Sequence, residues 1–184
     1  QGTAANPSQY NFTKTETQTI FSAGLATFAI VMIIAGRLQQ RIAPRIVAVL
    51  GGIFLGSGYI LAGLVGASFP AKLITIGIIG GAGIGLAYVV PIAVGVRWFP
   101  DKKGLLSGLA VAGFGFGSLV WILLARPPTI LGMSGLIQTR SGQFAVSNVD
   151  SVFIIYGFLL LIVVVLGALV MINPPEGYVP QGWI

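Results

Sequence analysis

Residues 97–104, RWFPDKKG, form a short charged stretch between two long apolar runs. The stretch contains three cations, one acid and a proline. Each charge at the centre of a bilayer costs about 2.5 to 3.5 kcal/mol on insertion scales, so all four charges must lie outside the hydrocarbon. This pattern indicates a loop at a membrane surface, and the apolar runs on either side must cross the membrane.

The composition supports the same conclusion. Of the 184 residues, 55% are hydrophobic and only 8% are charged, and the mean hydropathy is +0.96. An ordinary soluble domain has about 25% charged residues. The sequence therefore predicts an integral membrane protein, with the lipid bilayer as its main surroundings.

Residues that enzymes and metal sites usually need are missing from the sequence. It has no cysteine and no histidine, which removes common metal ligands and the usual proton shuttle. The four acids fall in predicted tails or loops: Glu16, Asp101, Asp150 and Glu176. We therefore expect no enzymatic activity, no metal and no cofactor. The ten basic residues are scattered among loops rather than clustered with aromatic residues, which argues against nucleic-acid binding.

Five runs are long enough to cross a membrane, since a spanning helix needs about 20 residues. They are apolar on every side, whereas a membrane β-strand would alternate. The sequence therefore predicts an all-α bundle, with spans at about 19–35, 46–67, 73–96, 105–125 and 152–172. The first span is short, and we expect it to extend upstream towards Thr15. A polar tail (1–18), a long loop (126–151) and a second tail (173–184) complete the predicted organisation.

The basic residues alternate between the two sides of this bundle. Two tight loops on one side carry six cations: Arg37, Arg41, Arg45, Arg97, Lys102 and Lys103. The other side carries four dispersed ones: Lys14, Lys72, Arg126 and Arg140. Because short loops rich in Lys and Arg stay in the cytoplasm, we expect an outer N-terminus and a cytoplasmic C-terminus. The polar outer tail leads us to expect a further span upstream.

The loop after the first span resembles a known family signature. Residues 36–45, GRLQQRIAPR, are similar to the G-x-L-x-D-R-x-G-x-R motif that follows the second helix in the major facilitator superfamily. Gly36, Leu38, Arg41 and Arg45 match this motif. Gln40 replaces the usual acid and Ala43 the usual glycine, which weakens the charge-assisted contact that the motif implies.

Four further segments resemble the oxalate/formate antiporter branch of that superfamily. They are YVVP at 88–91 with RWFPDKKG at 97–104, SGLAVAGFG at 107–115, and NPPEGYVPQGW at 173–183. On this alignment the five spans are the second to sixth helices of the family pattern. The resemblance implies a partial N-terminal bundle of a secondary transporter in a prokaryotic inner membrane, acting on small carboxylates. The counter-charges for such a substrate would come from the missing half.

Two of the spans are rich in glycine, which lets helix backbones approach closely where lipid provides no hydrophobic drive for association. We predict packing roles for glycines of the third and fourth spans: Gly80, Gly81, Gly83, Gly85, Gly113, Gly115 and Gly117. The alternative is that glycine is simply frequent in membrane helices. A phosphate-binding loop at 113–117 is excluded, because the strand–helix context and an acidic partner are missing.

Tyr88 is the best candidate for a residue of the substrate pathway. It lies mid-span and three residues before Pro91, and transporters bind substrate near the midplane beside helix irregularities. The alternative is a structural tyrosine that hydrogen-bonds to a neighbouring helix. Trp121 is a second candidate, although a tryptophan near the end of a span is also typical of the interfacial belt.

The two basic loops are expected to act as structural latches rather than as ligand sites. Cations there can interact with the partial negative charge of helix C-termini. Asp101 is the only acid in either loop. Asp101 is therefore the natural partner for Arg41 or Arg45 if the two loops meet.

Two functional hypotheses follow from the sequence. The first is part of a secondary transporter for small organic anions, whose partner is the missing transporter half. The second is a non-transporting accessory subunit, derived from a half-transporter and bound to another membrane complex. The identity of the chains that cover its glycine-rich surface would discriminate between them.

Overall fold

The computed structural model describes residues 12–125, 149–175 and 178, with only the backbone of 121–125 and 149. All the regular elements in these ranges are helices, and five of them are long and apolar enough to cross a membrane. The predicted all-α membrane fold is thus confirmed. Most of the predicted loop 126–151, the tail up to residue 11 and most of the C-terminal tail lie outside the described residues.

Helix α1 spans Lys14–Leu38, so the first span extends upstream of Thr19 to about Thr15, as expected. A capping box sets this start. The Thr13 hydroxyl accepts a hydrogen bond from the Glu16 backbone N–H at 3.2 Å, and the Glu16 carboxylate accepts one from the Thr13 N–H at 2.8 Å. Such reciprocal capping satisfies two N–H groups that the first helical turn would otherwise leave unpaired.

Helix α2 spans Pro44–Leu64, with its proline in the first turn, where the missing N–H costs nothing. A turn follows in which Gly66 has a φ of 66°, a conformation that favours glycine. The third span then runs continuously over Phe69–Trp98. It consists of α3 (Phe69–Lys72), a π-helical segment (Leu73–Gly80) and α4 (Gly81–Trp98).

A 3₁₀ turn at Pro100–Lys102 leads into α5 (Lys103–Ala125), and the last helix is α6 (Val149–Leu169). The short turn keeps the predicted loop 97–104 compact, because α4 extends to Trp98 and α5 already begins at Lys103. Beyond α6 the chain is not helical over residues 171–175. The predicted end of the last span at residue 172 is therefore slightly too late.

Helix α4 packs against both α1 and α2, and α2 packs along α6. A cluster of buried apolar side chains lies where α1, α2, α4 and α6 meet near the basic loops: Ala35, Val47, Ala48, Val90, Val94 and Ala168. Large apolar side chains elsewhere point outward, among them Phe21 on α1 and Phe158 and Leu166 on α6. An apolar surface of this kind is suited to lipid.

Lys72 is the main departure from the sequence-based expectation. It stands just before the predicted third span, 73–96, but the helix already includes it, and only 1% of the residue is exposed. A buried cation at this end of the span was not predicted. The ammonium can be buried because neighbouring helices provide it with oxygen partners.

Candidate functional site

Tyr88 lies on α4 between two aromatic side chains from different helices. Its ring meets Phe28 of α1 edge-to-face at a centroid distance of 5.6 Å, and Phe114 of α5 in the same manner at 5.7 Å. Such T-shaped pairs contribute about 0.5 to 1.5 kcal/mol each beyond the area that they bury. The three rings therefore fix the orientation of the Tyr88 side chain where α1, α4 and α5 come together.

The Tyr88 hydroxyl has no hydrogen-bond partner among the residues that the structure describes. A phenolic hydroxyl can donate one hydrogen bond and accept others, so it remains available to an incoming polar group. The alternative of a structural tyrosine bonded to a neighbouring helix finds no such bond in the described part of the chain. Phe28 and Phe114 were not singled out from the sequence, because nothing local links residues so far apart in the chain.

Trp121, the second pathway candidate, lies within helix α5. Its side chain falls outside the described residues, so its role stays a prediction.

The six cations of the two basic loops are all exposed, and so is Asp101. Arg37 lies in the last turn of α1 and Arg97 in the last turn of α4, where positive charge is favourable. Asp101 forms no ion pair with Arg41 or Arg45 within 4.0 Å in the described residues. The expected pairing of Asp101 is therefore wrong in the described residues: the acid lies exposed on a 3₁₀ turn.

A different contact joins the second basic loop to the segment after α6. The Arg97 guanidinium donates to the Asn173 side-chain oxygen at 2.8 Å, and the Trp98 indole N–H donates to the Ile172 carbonyl oxygen at 2.8 Å. The Trp98 ring also lies against Tyr178, with a centroid distance of 5.1 Å. Two sequence segments that carried the family resemblance, 97–104 and 173–183, thus contact each other in the folded chain.

The glycines of the third span lie close to neighbouring backbones. A Cβ added at Gly81 would lie 2.7 Å from the Gly24 carbonyl oxygen, and one at Gly85 would lie 2.9 Å from the Phe28 carbonyl oxygen. One added at Gly83 would overlap the backbone of Leu55. Gly80 is less constrained, because its nearest neighbour would be the Thr75 carbonyl oxygen at 3.5 Å.

The glycines of α5 differ. A Cβ at Gly113, Gly115 or Gly117 would meet no described atom within 4 Å, apart from its own helix backbone and chain neighbours. Gly36 in the first basic loop motif is equally open. A packing role for the α5 glycines therefore stays a prediction.

Comparison with known proteins places this arrangement in a family. The model of the Major Facilitator Superfamily matches residues 3–182. The chain is 33% identical to the apicoplast pyruvate carrier 1 of Toxoplasma gondii over 102 residues, which cover 55% of this chain and 19% of that protein. It is 30% identical over 161 residues to YhjX, an uncharacterized MFS-type transporter of Escherichia coli strain K12, covering 86% of this chain and 36% of YhjX.

A third relative is the oxalate:formate antiporter of Oxalobacter formigenes, which is 31% identical over 141 residues. That alignment covers 77% of this chain and 30% of the antiporter. The chain thus spans about a third or less of the length of these three relatives. The family match over nearly all of its residues and the five apolar helices lead to one conclusion: the chain belongs to the Major Facilitator Superfamily, whose members are membrane transporters.

Proposed function

We propose that this chain forms part of a secondary transporter that moves small organic carboxylates by alternating access. The observation that carries this proposal is the sequence similarity to two relatives that are named for such substrates. One is named for pyruvate, and the other for oxalate and formate. In this proposal the five helices correspond to the second to sixth helices of the N-terminal bundle. The remaining helices of the transporter supply the second bundle, against which this one moves.

Tyr88 would contact the substrate in this scheme. Its hydroxyl is free of partners in the described residues, and Phe28 and Phe114 hold its ring from both sides. A carboxylate oxygen is a strong acceptor, and a hydrogen bond to a charged group is worth about 1.5 to 3 kcal/mol. The positive charge that balances a bound carboxylate would come from basic residues of the second bundle.

The test is transport by the complete assembly that contains this chain, reconstituted in liposomes preloaded with oxalate. We expect saturable uptake of labelled oxalate, formate or pyruvate by exchange. Tyr88→Phe should raise the KM by roughly tenfold or more, because it removes one hydrogen bond to a charged substrate. Tyr59→Phe makes the same chemical change on α2, where the ring packs against Phe153, and should leave the KM unchanged.

Other outcomes would decide against parts of this proposal. An assembly without carboxylate exchange would refute the substrate class. Saturable exchange by the purified chain alone would contradict its role as one part of a larger transporter, since alternating access needs two bundles. Isolation of the chain with an unrelated enzyme complex would favour the accessory-subunit hypothesis.

We also propose that the two basic loops face the cytoplasm of a prokaryotic cell, with the N-terminus outside. The six exposed loop cations support this orientation. The sequence lacks cysteine, so single introduced cysteines can be labelled without background. A cysteine at Gln40 should react only with reagents that enter the cytoplasm, and one at Thr15 should react from outside. The reverse pattern would refute the orientation.

A further inference from the structure

The buried charge of Lys72 lies where three helical elements meet. Its ammonium donates hydrogen bonds to the Ala62 carbonyl oxygen of α2 and to the Asp150 carboxylate of α6, the latter at 3.3 Å. The same nitrogen lies 4.5 Å from the centroid of the Phe153 ring, also on α6. Lys72 and Asp150, which we call the charge clasp, thus connect the start of the third span to α2 and α6.

The clasp stands at one end of a close contact between α2 and α6. Three glycines of α2 and one of α6 line this contact, which we call the glycine seam: Gly52, Gly56, Gly63 and Gly157. A Cβ at Gly56 would lie 2.9 Å from the Gly157 carbonyl oxygen, and one at Gly157 would lie 2.8 Å from the Gly56 carbonyl oxygen. At the clasp end, a Cβ at Gly63 would lie 2.6 Å from the Asp150 carbonyl oxygen.

The glycine seam alone does not define how far α6 slides along α2. Gly52 and Gly56 are four residues apart, about one helical turn, so Gly157 could pack against either glycine. The side chains of α6 that contact the seam glycines are aliphatic and similar in shape, including Ile154, Leu161 and Val164. Dispersion contacts between such side chains are non-directional, and lipid adds no preference for one register.

The charge clasp does define this register. A slide by one turn displaces α6 by about 5.4 Å, which would separate the Asp150 carboxylate from the Lys72 ammonium. Only 1% of the Lys72 side chain and 17% of the Asp150 side chain are exposed. Water would compensate poorly for the lost pair, because breaking a buried ion pair is strongly unfavourable.

We propose that the charge clasp of Lys72 and Asp150 sets the register of α6 along the glycine seam of α2. This role is independent of the substrate and goes beyond the proposed transport function. The two charges do not need to increase the total stability. They select one register among those that the seam permits, as single buried polar residues do in coiled coils.

Disulfide cross-linking in the complete assembly measures the register directly, since the chain has no native cysteine. A Cβ at Gly52 would lie 3.2 Å from the Val164 Cβ, slightly below the usual Cβ–Cβ distance of about 3.8 Å in a disulfide. Oxidation should therefore link Gly52→Cys to Val164→Cys. It should not link Gly52→Cys to Leu160→Cys, a pair that comes together only if Gly157 moves onto Gly52.

The decisive variant removes both charges, Lys72→Met with Asp150→Asn. Either substitution alone breaks the buried ion pair and leaves the remaining charge unbalanced, so each should lower the yield of folded protein several-fold. The double variant should recover most of this yield, and cross-linking should then spread to the Leu160→Cys pair. The matched control, Lys102→Met with Asp101→Asn, removes the same charge types from an exposed loop and should leave cross-linking confined to Val164→Cys.

A second variant, Lys72→Arg with Asp150→Glu, keeps both charges and should keep cross-linking at Val164→Cys. The proposal is overturned if the doubly neutral variant cross-links only through Val164→Cys. It is also overturned if that variant folds no better than the single ones, because the seam would then require the charges themselves. Spread of cross-linking in the Arg/Glu variant would equally contradict it. None of these outcomes depends on whether the assembly transports carboxylates.

Discussion

Helices α4 and α5 are both rich in glycine, but among the described residues only the glycines of α4 are in close contact with other helices. Added Cβ atoms at Gly81 and Gly85 would come within 3 Å of carbonyl oxygens on α1, and one at Gly83 would overlap the backbone of α2. Added Cβ atoms at Gly113 and Gly115 on α5 would meet no described neighbour within 4 Å. Two helices with similar composition therefore lie in different surroundings.

This difference shows what glycine content can and cannot indicate. Because lipid tails are as apolar as the helices themselves, a glycine stabilises a membrane bundle only where another backbone occupies the space that it leaves. On α4 this space is filled by α1 and α2. On α5 the open glycine surface offers the same possibility, which a second bundle would use in the proposed transporter.

The largest change in stability is expected when a methyl group is added at a glycine of α4, compared with the same addition on α5. Gly83→Ala places a Cβ against the Leu55 backbone, which cannot move aside as a flexible side chain could. We expect a loss of about 1 to 3 kcal/mol in the free energy of unfolding, the usual cost of overpacking. Gly115→Ala meets no described neighbour, and alanine favours the helix over glycine by about 1 kcal/mol, so it should be neutral or stabilising.

Thermal unfolding of the purified chain in detergent compares the two variants directly. The folded fraction is measured as the temperature is raised. Opposite signs would support the contrast between α4 and α5. Similar destabilisation by both would mean that α5 also packs closely within this chain, and that its glycines are already covered.

Much of the fold could be predicted from the sequence. Five apolar runs predict five helices because backbone groups inside a bilayer must be hydrogen-bonded within each segment. The ends of the helices were predicted less well. The early start of α1 follows from Thr13 and Glu16, whose T-x-x-E spacing in the sequence is typical of a capping box.

The contacts between helices were the part that sequence patterns did not provide. Lys72 and Asp150 are separated by 78 residues, and neither lies in a local motif that would link them. A cation directly before an apolar run looks like an ordinary residue at the end of a loop, and only the fold brings α2 and α6 around it. The same holds for the rings of Phe28 and Phe114 beside Tyr88.

Buried and exposed acids differ in the same way as the glycines of α4 and α5. Substitution of the exposed acid should have the smallest effect on stability. Asp150 is largely buried against Lys72, whereas Asp101 is exposed and lacks an ion pair in the described part of the chain. We therefore expect Asp101→Asn and Lys102→Gln each to change the free energy of unfolding by less than about 0.5 kcal/mol, as is usual for surface substitutions.

Thermal unfolding at low and at high salt checks this expectation, because any surface ion pair would weaken as salt screens it. Both variants should unfold within a degree or two of the unmodified chain at either salt concentration. A clearly larger, salt-sensitive loss for Asp101→Asn than for Lys102→Gln would mean that the carboxylate does contact a cation in the membrane. The basic loop would then act as a latch, in addition to the topological role that its exposed cations already support.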